Sequence, residues 1–257
     1  MTSNRLPVIF FGHGSPMNAI ELNDYSKSWK EIGESLQKPK AVLCISAHWV
    51  SHGMAVTAME KPRTIHDFMG FPHELSEFEY PAPGSPELAN LVVSTLRPHT
   101  VTLNDRWGLD HGTWVVLHWL YADADVPVVQ LSIDHDLTFE EHYHLGRSLR
   151  DLRDQNILII GSGNLVHNLS MASWDVKAYD WAVKFDERVK YWILAGNHEP
   201  IIHTEKQGPD AAFAVSSKEH YIPLLYTLGA AYPDEKMQFF NEDIMAGSIS
   251  MRGVRFG

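Results

Sequence analysis

Apolar positions along this chain follow two patterns that alternate from end to end. Unbroken apolar runs at residues 7–11 and 157–160 read as buried strands, 7–11 buried on both faces, since a strand with one wet face would alternate instead, and the largely apolar stretches 41–46 and 126–133 read as strands as well. Runs at 54–57, 101–103, 237–240 and 248–256 predict further strands. Between them the apolar spacing lengthens to three or four. Tyr25, Trp29, Ile32 and Leu36 share one face of a helix over 23–36. Ser85 and Pro86 supply an N-cap and a first-turn proline for a helix reaching Leu96. Thr138 and Glu141 have capping-box spacing ahead of a helix to about Asp154. Other helices are expected ahead of Tyr121, over 180–194 and over 219–231. Residues 61–83 follow neither period; proline, glycine and aromatics alternate there, which predicts a long ordered loop. Strand–helix alternation without a repeat predicts one α/β domain over residues 1–257. Its central sheet should be mainly parallel, with helices on both faces and an antiparallel edge from the C-terminal strands.

Composition narrows the partners. A length of 257 residues, 44% hydrophobic, suits a sizeable core. The formal charge of −11 argues against nucleic acid or an anionic membrane, both of which need clustered Lys and Arg. Apolar runs are too short for a membrane span, and the polar opening from Met1 to Arg5 carries no signal-peptide core, so a cytoplasmic location is expected. Cys44 is the sole cysteine, which excludes an internal disulfide and a thiolate cluster; its apolar neighbours make it a buried structural thiol.

Several familiar motifs fail. Gly161-Ser162-Gly163 follows a strand, but Val166 stands where a dinucleotide fingerprint needs its third glycine. Ser162 lacks the glycine two residues earlier that a nucleophile elbow needs, and no phosphate loop or H-E-x-x-H occurs. Histidine is the unusual residue, with fifteen in the chain. His13, His48, His111 and His167 each sit at a strand end, a glycine turn or a helix start, and His220 opens a predicted helix. Parallel strands bring their carboxyl ends to one edge, so these five can meet there. Three imidazoles, or two with a carboxylate, suit Zn(II) or non-haem Fe(II). Gly12 and Gly14 around His13 are expected to turn the chain sharply and to leave room for a flat aromatic substrate. His52, His66, His73, His99, His198 and His203 are expected in solvated loops, with His66 a candidate pocket wall. His118, His142 and His144 are expected on helix faces, and Asp134-His135-Asp136 as a turn with a solvated charge cluster.

The segments Gly12-His13-Gly14-Ser15-Pro16-Met17, Ser46-Ala47-His48-Trp49, Ile65-His66-Asp67-Phe68, Tyr80-Pro81-Ala82-Pro83-Gly84, Gly108-Leu109-Asp110-His111-Gly112 and 163–169 together resemble the bacterial 4,5-DOPA extradiol dioxygenases. These belong to the class III extradiol group, related to the protocatechuate 4,5-dioxygenase catalytic subunit. The resemblance runs from Pro7 to the 247–251 segment. It implies a metal-dependent enzyme that opens a catechol such as DOPA with O2 to a muconic semialdehyde, as a monomer or small homo-oligomer. It implies one divalent ion per chain, Fe(II) or Zn(II), held by His13, His48 and His220, with His167 a base or a fourth ligand and His111 assisting. The protocatechuate branch uses two His and a Glu, whereas here His220 has Glu219 beside it, so either could be the third ligand. Trp49, Phe68 and Trp114 are candidate walls for the ring. Two other functions remain compatible with such a cluster: a zinc-dependent hydrolase, and a metal-binding protein without catalysis.

Overall fold

The computed structural model describes residues 5–257; Met1 to Asn4, most of the polar opening stretch, lie outside the described residues. The strands are β1 (Val8–Gly12), β2 (Ala41–Ser51), β3 (Met54–Thr57), β4 (Val101–Asn104), β5 (Val128–Asp134), β6 (Ile157–Gly163), β7 (Met237–Phe240), β8 (Ile244–Met245), β9 (Ile249–Ser250) and β10 (Gly253–Phe256). Eight of them form one sheet in the order β4-β3-β5-β2-β6-β1-β10-β7, while β8 and β9 pair separately. The centre, β5-β2-β6-β1, is parallel. The C-terminal edge, β10 and β7, is antiparallel as expected. The opposite edge also reverses, because β3 runs antiparallel to β5. Only His52 and Gly53 separate β2 from β3; a link that short cannot make the crossover a parallel strand requires.

The helices are α1 (Asp24–Ser35), α2 (His73–Ser76), α3 (Pro86–Thr95), α4 (His111–Leu120), α5 (Phe139–Leu149), α6 (Asp180–Leu194), α7 (Glu199–Ile202), α8 (Pro209–Ala214) and α9 (Ile222–Ala230). Two apolar layers cover the sheet. Val8 and Phe10 of β1 join the layer under α3, α5, α6 and α9, while Ile9 and Phe11 join the layer under α1 and α4. Burial on both faces is why β1 and the start of β6 read as continuous apolar runs, while β5, equally buried, carries Gln130 and Ser132 within its run. Cys44 is buried in the second layer, and burial pushes its thiol far above the usual range. No helix among the described residues is long and apolar enough to cross a membrane.

Three boundaries differ from expectation, each for a local reason. β2 does not stop before His48 but continues to Ser51, and its register with β5 shifts between Ile45 and Val50. The last helix starts at Ile222 rather than Glu219, because Pro223 has no N–H to donate and is accommodated only in a first turn. The run 248–256 divides into β9 and β10, since at Met251 and Arg252 the chain leaves the ladder and the buried Arg252 guanidinium reaches Asp186 at 2.8 Å. The short helices α2, α7 and α8 were not expected; each is too brief for periodicity to register.

His142 is not on a solvated helix face. It is buried where α5 crosses α9, with Nδ1 3.1 Å from the Tyr226 hydroxyl, and burial pushes its imidazole down to about 4 from the ordinary 6.5. Above pH 6.5 folded and unfolded chains are both neutral at this ring. Below it the unfolded chain takes a proton that the native state refuses, so stability falls as the pH drops toward 4. A His142→Gln variant should therefore lose about 2 kcal/mol less than the wild type between pH 7 and pH 5, as read by urea unfolding at both pH values. Equal slopes for the two proteins would remove His142 from the acid sensitivity.

Candidate active site

Five histidines converge at the carboxyl edge of the parallel strands. His13 follows β1, and its N–H donates to Gly163 O at 3.2 Å. His48 projects from the irregular part of β2. His111 is the first residue of α4, which Asp110 caps by accepting from Thr113 N–H at 3.1 Å. His167 lies beyond β6, with its N–H on Ala214 O at 2.9 Å. His220 lies in the turn before α9, and its carbonyl accepts from Asn164 N–H at 2.8 Å. A Cβ at Gly163 would lie 2.1 Å from that carbonyl, so this glycine lets β6 pass directly beneath the His220 turn.

The second ring nitrogens are fixed by their partners. His13 Nδ1 lies 3.0 Å from Ser162 Oγ, whose own proton goes to Gly112 O. The hydroxyl can then only accept, so His13 carries its proton on Nδ1 and keeps a lone pair on Nε2. Asp67 stands between two rings as a close charge, with His48 Nδ1 3.1 Å from Oδ2 and His111 Nδ1 2.9 Å from Oδ1, and a carboxylate there favours a proton on each Nδ1. Asp67 also accepts from the His111 backbone N–H at 3.0 Å. Burial works to raise the Asp67 carboxyl, but hydrogen bonds from His111 and His48 outweigh it and hold the group well below the usual carboxylate range. His220 Nδ1 lies 3.1 Å from Glu219 Oε1, which fixes its proton in the same way.

This leaves the Nε2 atoms of His13 and His48 facing each other at 3.1 Å, each with a lone pair. Such a buried arrangement is repulsive unless a cation stands between the two nitrogens. A proton is disfavoured, because burial and then the neighbouring imidazoles hold His13 well below its ordinary 6.5. A metal ion fits: ligand atoms at about 2.05 Å in a tetrahedron lie about 3.3 Å apart. The rings of His13, His48 and His220 form a near-equilateral triangle, with centroids 5.0, 5.5 and 5.0 Å apart. His111 stands 3.8 Å from His48, and His167 stacks on His220 at 3.4 Å and 6°. Ligand atoms of His13, His48 and His111 lie within 4.8 Å of one another, as do those of His167, Glu219 and His220.

The cluster forms the floor of a cavity of about 400 Å³. Its walls are Phe68 and Phe71 on one side and Leu169, Trp174, Met245 and Ile249 on the other. A family model for the catalytic LigB subunit of aromatic ring-opening dioxygenase matches residues 7–256. The chain belongs to this family. A protein of Escherichia coli (strain K12) named 4,5-DOPA dioxygenase extradiol is 46% identical over 264 residues, covering 100% of this chain and 97% of that protein. One of the same name from Beta vulgaris is 39% identical, covering 96% of this chain and 95% of its own. The crystal structure of an uncharacterized protein from Escherichia coli K12 superposes with a TM-score of 0.86 at 42% identity, over 98% of this chain and 100% of that one.

In this LigB-family chain the five histidines expected from sequence do come together, but other expectations change. Gly12 and Gly14 leave no free room: a Cβ on Gly12 would lie 2.6 Å from the Met251 backbone, and one on Gly14 2.4 Å from Met251 Sδ. Gly14 also has φ +63°, so it shapes the turn rather than a substrate slot. Of the candidate walls only Phe68 lines the cavity. Trp49 stacks on Trp107, and Trp114 is buried against Phe78 with its indole N–H donating to Ile65 O at 2.9 Å. His66 braces the loop, with Nε2 2.8 Å from Phe78 O. His198 meets the Tyr143 hydroxyl at 3.0 Å and is not solvated. Asp67, Ser162 and Trp174 had not been singled out. A carboxylate beside histidine in an otherwise aromatic loop was the available signal for Asp67; an isolated tryptophan offers none.

Proposed function

We propose that this protein is a metal-dependent extradiol dioxygenase that opens a catechol such as DOPA with O2, yielding a muconic semialdehyde. His13, His48 and His220 hold one divalent ion in this reading. The observation that carries it is the pair of opposed Nε2 lone pairs on His13 and His48. Family membership and relatives named 4,5-DOPA dioxygenase extradiol support the reaction class. When bound, Fe(II) supplies the redox chemistry and open positions that ring cleavage requires, whereas Zn(II) at the same imidazoles supplies none.

The remaining residues bind and move protons. The Asp67 carboxylate 2.9 Å from His111 Nδ1 favours the proton on that nitrogen, so its Nε2 is an acceptor for a catechol hydroxyl. His167 and His220 lie in nearly parallel planes with centroids 3.4 Å apart, so an ion in the plane of the His220 ring lies out of the plane of the His167 ring, where its lone pair does not point. We therefore assign it to proton transfer rather than ligation. Burial pushes His167 down to about 4, so it is neutral at ordinary pH and able to take a substrate proton; once charged, it is a strong acid that returns it. Glu219 orients His220 through Nδ1 and is not the third ligand. Phe68 offers the ring an apolar wall, with the more exposed Phe71 and Trp174 at the rim of the cavity. The setting is cytoplasmic and the substrate small, in keeping with the apolar cavity, the free buried thiol and the net negative charge.

The test is anaerobic reloading of metal-stripped protein with Fe(II), followed by DOPA or a simpler catechol and oxygen. A yellow product with one O2 consumed per substrate is expected. No oxygen uptake across a catechol panel, together with ester hydrolysis by the zinc form, would replace the proposal with a zinc hydrolase.

A further inference from the structure

A second group of metal-ligating side chains stands at the same edge of the sheet, outside the catalytic cluster. His52 follows β2, and His135 and Asp136 follow β5. His52 Nδ1 lies 3.0 Å from Asp136 Oδ2, and His135 Nδ1 lies 3.4 Å from Asp136 Oδ1. The two rings are 5.4 Å apart and tilted by 59°, and one ligand atom from each of the three residues lies within 4.8 Å of the others. These spacings are close to the roughly 3.3 Å edge of a tetrahedron built from metal–nitrogen and metal–oxygen bonds of about 2.05 Å.

The backbone beneath them is fixed. Ser51 and Asp134 are register partners at the ends of β2 and β5, and the His135 N–H donates to Ser51 O at 2.9 Å. The buried Asp134 carboxylate ties the two turns together, accepting from Gly53 N–H at 3.0 Å and from Asp136 N–H at 3.1 Å. The three ligating side chains thus stand on two turns whose relative position is set. Their outer faces are exposed, which leaves coordination positions for water.

We propose that His52, His135 and Asp136 form an outer metal site for a borderline divalent ion such as Zn(II), Ni(II) or Cu(II). Two imidazoles with one carboxylate match the donor preference of these ions over Mg(II) or Ca(II). The Asp136 carboxylate between the two rings supplies negative charge at the place a cation would occupy. His52 lies four residues beyond His48, about 13 Å along an extended chain, so the outer ion shares no ligand with the inner site. The protein then carries two classes of metal site, of which only the inner one serves ring cleavage. Open solvent on one side makes the outer site the weaker of the two.

The experiment is calorimetric titration of metal-stripped protein with Zn(II), run in parallel on wild type, a His52→Ala/His135→Ala double variant and His13→Ala. Wild type should bind two equivalents with distinct affinities. The double variant should lose the weaker equivalent and keep both the tighter one and the Fe(II)-dependent oxygen uptake. His13→Ala should lose the tighter equivalent alone. A single equivalent in wild type, or two in the double variant, would overturn the proposal. Neither result bears on catechol cleavage, which is read separately by oxygen uptake.

Discussion

A His13→Ala protein is expected to fold normally, to bind Fe(II) or Zn(II) at the inner site at least about 100-fold more weakly, and to consume no oxygen with any catechol. Removing an outer hydrogen-bond partner of a metal ligand costs about 10–100-fold, and removing the ligand itself must cost more. The fold should survive, because the imidazole meets other functional side chains rather than the apolar layers. Its partners are Ser162 and His48, with His111 and His220 at its ring edges. In metal-free protein the change should even be stabilising, since it removes one of two buried lone pairs opposed at 3.1 Å. The expected signature is a metal-free melting temperature at or above that of metal-free wild type, with metal content after dialysis reduced at the inner site. A His13→Ala protein that keeps its inner ion would show that the opposed nitrogens are not what holds it.

The second large effect is expected at Asp67, a residue that touches no proposed metal ion. Its carboxylate lies 3.1 Å from His48 Nδ1 and 2.9 Å from His111 Nδ1, and its charge favours the tautomer of each ring that leaves Nε2 unprotonated. In Asp67→Asn one oxygen remains to accept and an N–H₂ replaces the other, so one of the two rings meets a donor. We expect metal affinity or turnover to fall by about 10–100-fold with little change in thermal stability. Measuring both distinguishes the routes. If His48 is the ring disturbed, Fe(II) binding weakens; if His111 is, the metal is retained, KM for the catechol rises and kcat falls. Unchanged affinity and unchanged kinetics would mean that packing alone orients these rings.

The parallel centre of the sheet and its C-terminal edge were legible because burial on both faces writes continuous apolar runs into β1 and the start of β6 and a largely apolar one into β5. The convergence of the five histidines followed from that, since parallel strands share a carboxyl edge. What could not be read were relations between residues distant in the chain. Asp67 serves His48 and His111 from a loop without period, and Ser162 serves His13 across paired strands. The glycines around His13 are explained by Met251, more than two hundred residues away in sequence, which fills the room that a local view assigns to substrate. His142 illustrates the same limit in the core: helical spacing places it on a face, but only the packing of α5 on α9 shows that face to be dry.

The cavity wall has one further consequence, for how substrates arrive. Among the described residues that line it none is Lys or Arg, and Asp67 is its one carboxylate. Arg252, the buried guanidinium nearest in sequence to the wall residues Met245 and Ile249, is held by Asp186, Glu187 and Glu242 and has no reach to spare for a ligand. With a net charge of −11 on the whole chain, an anionic catechol approaches against a repulsive field that no cationic side chain of the wall offsets; the bound divalent ion attracts it only once it is inside the cavity. Salt screens that field over about 10 Å at 0.1 M. Capture of a catechol bearing a bare carboxylate should therefore speed up as salt is added, while capture of an uncharged one stays level. For this protein, ionic strength acts as a selector among substrates.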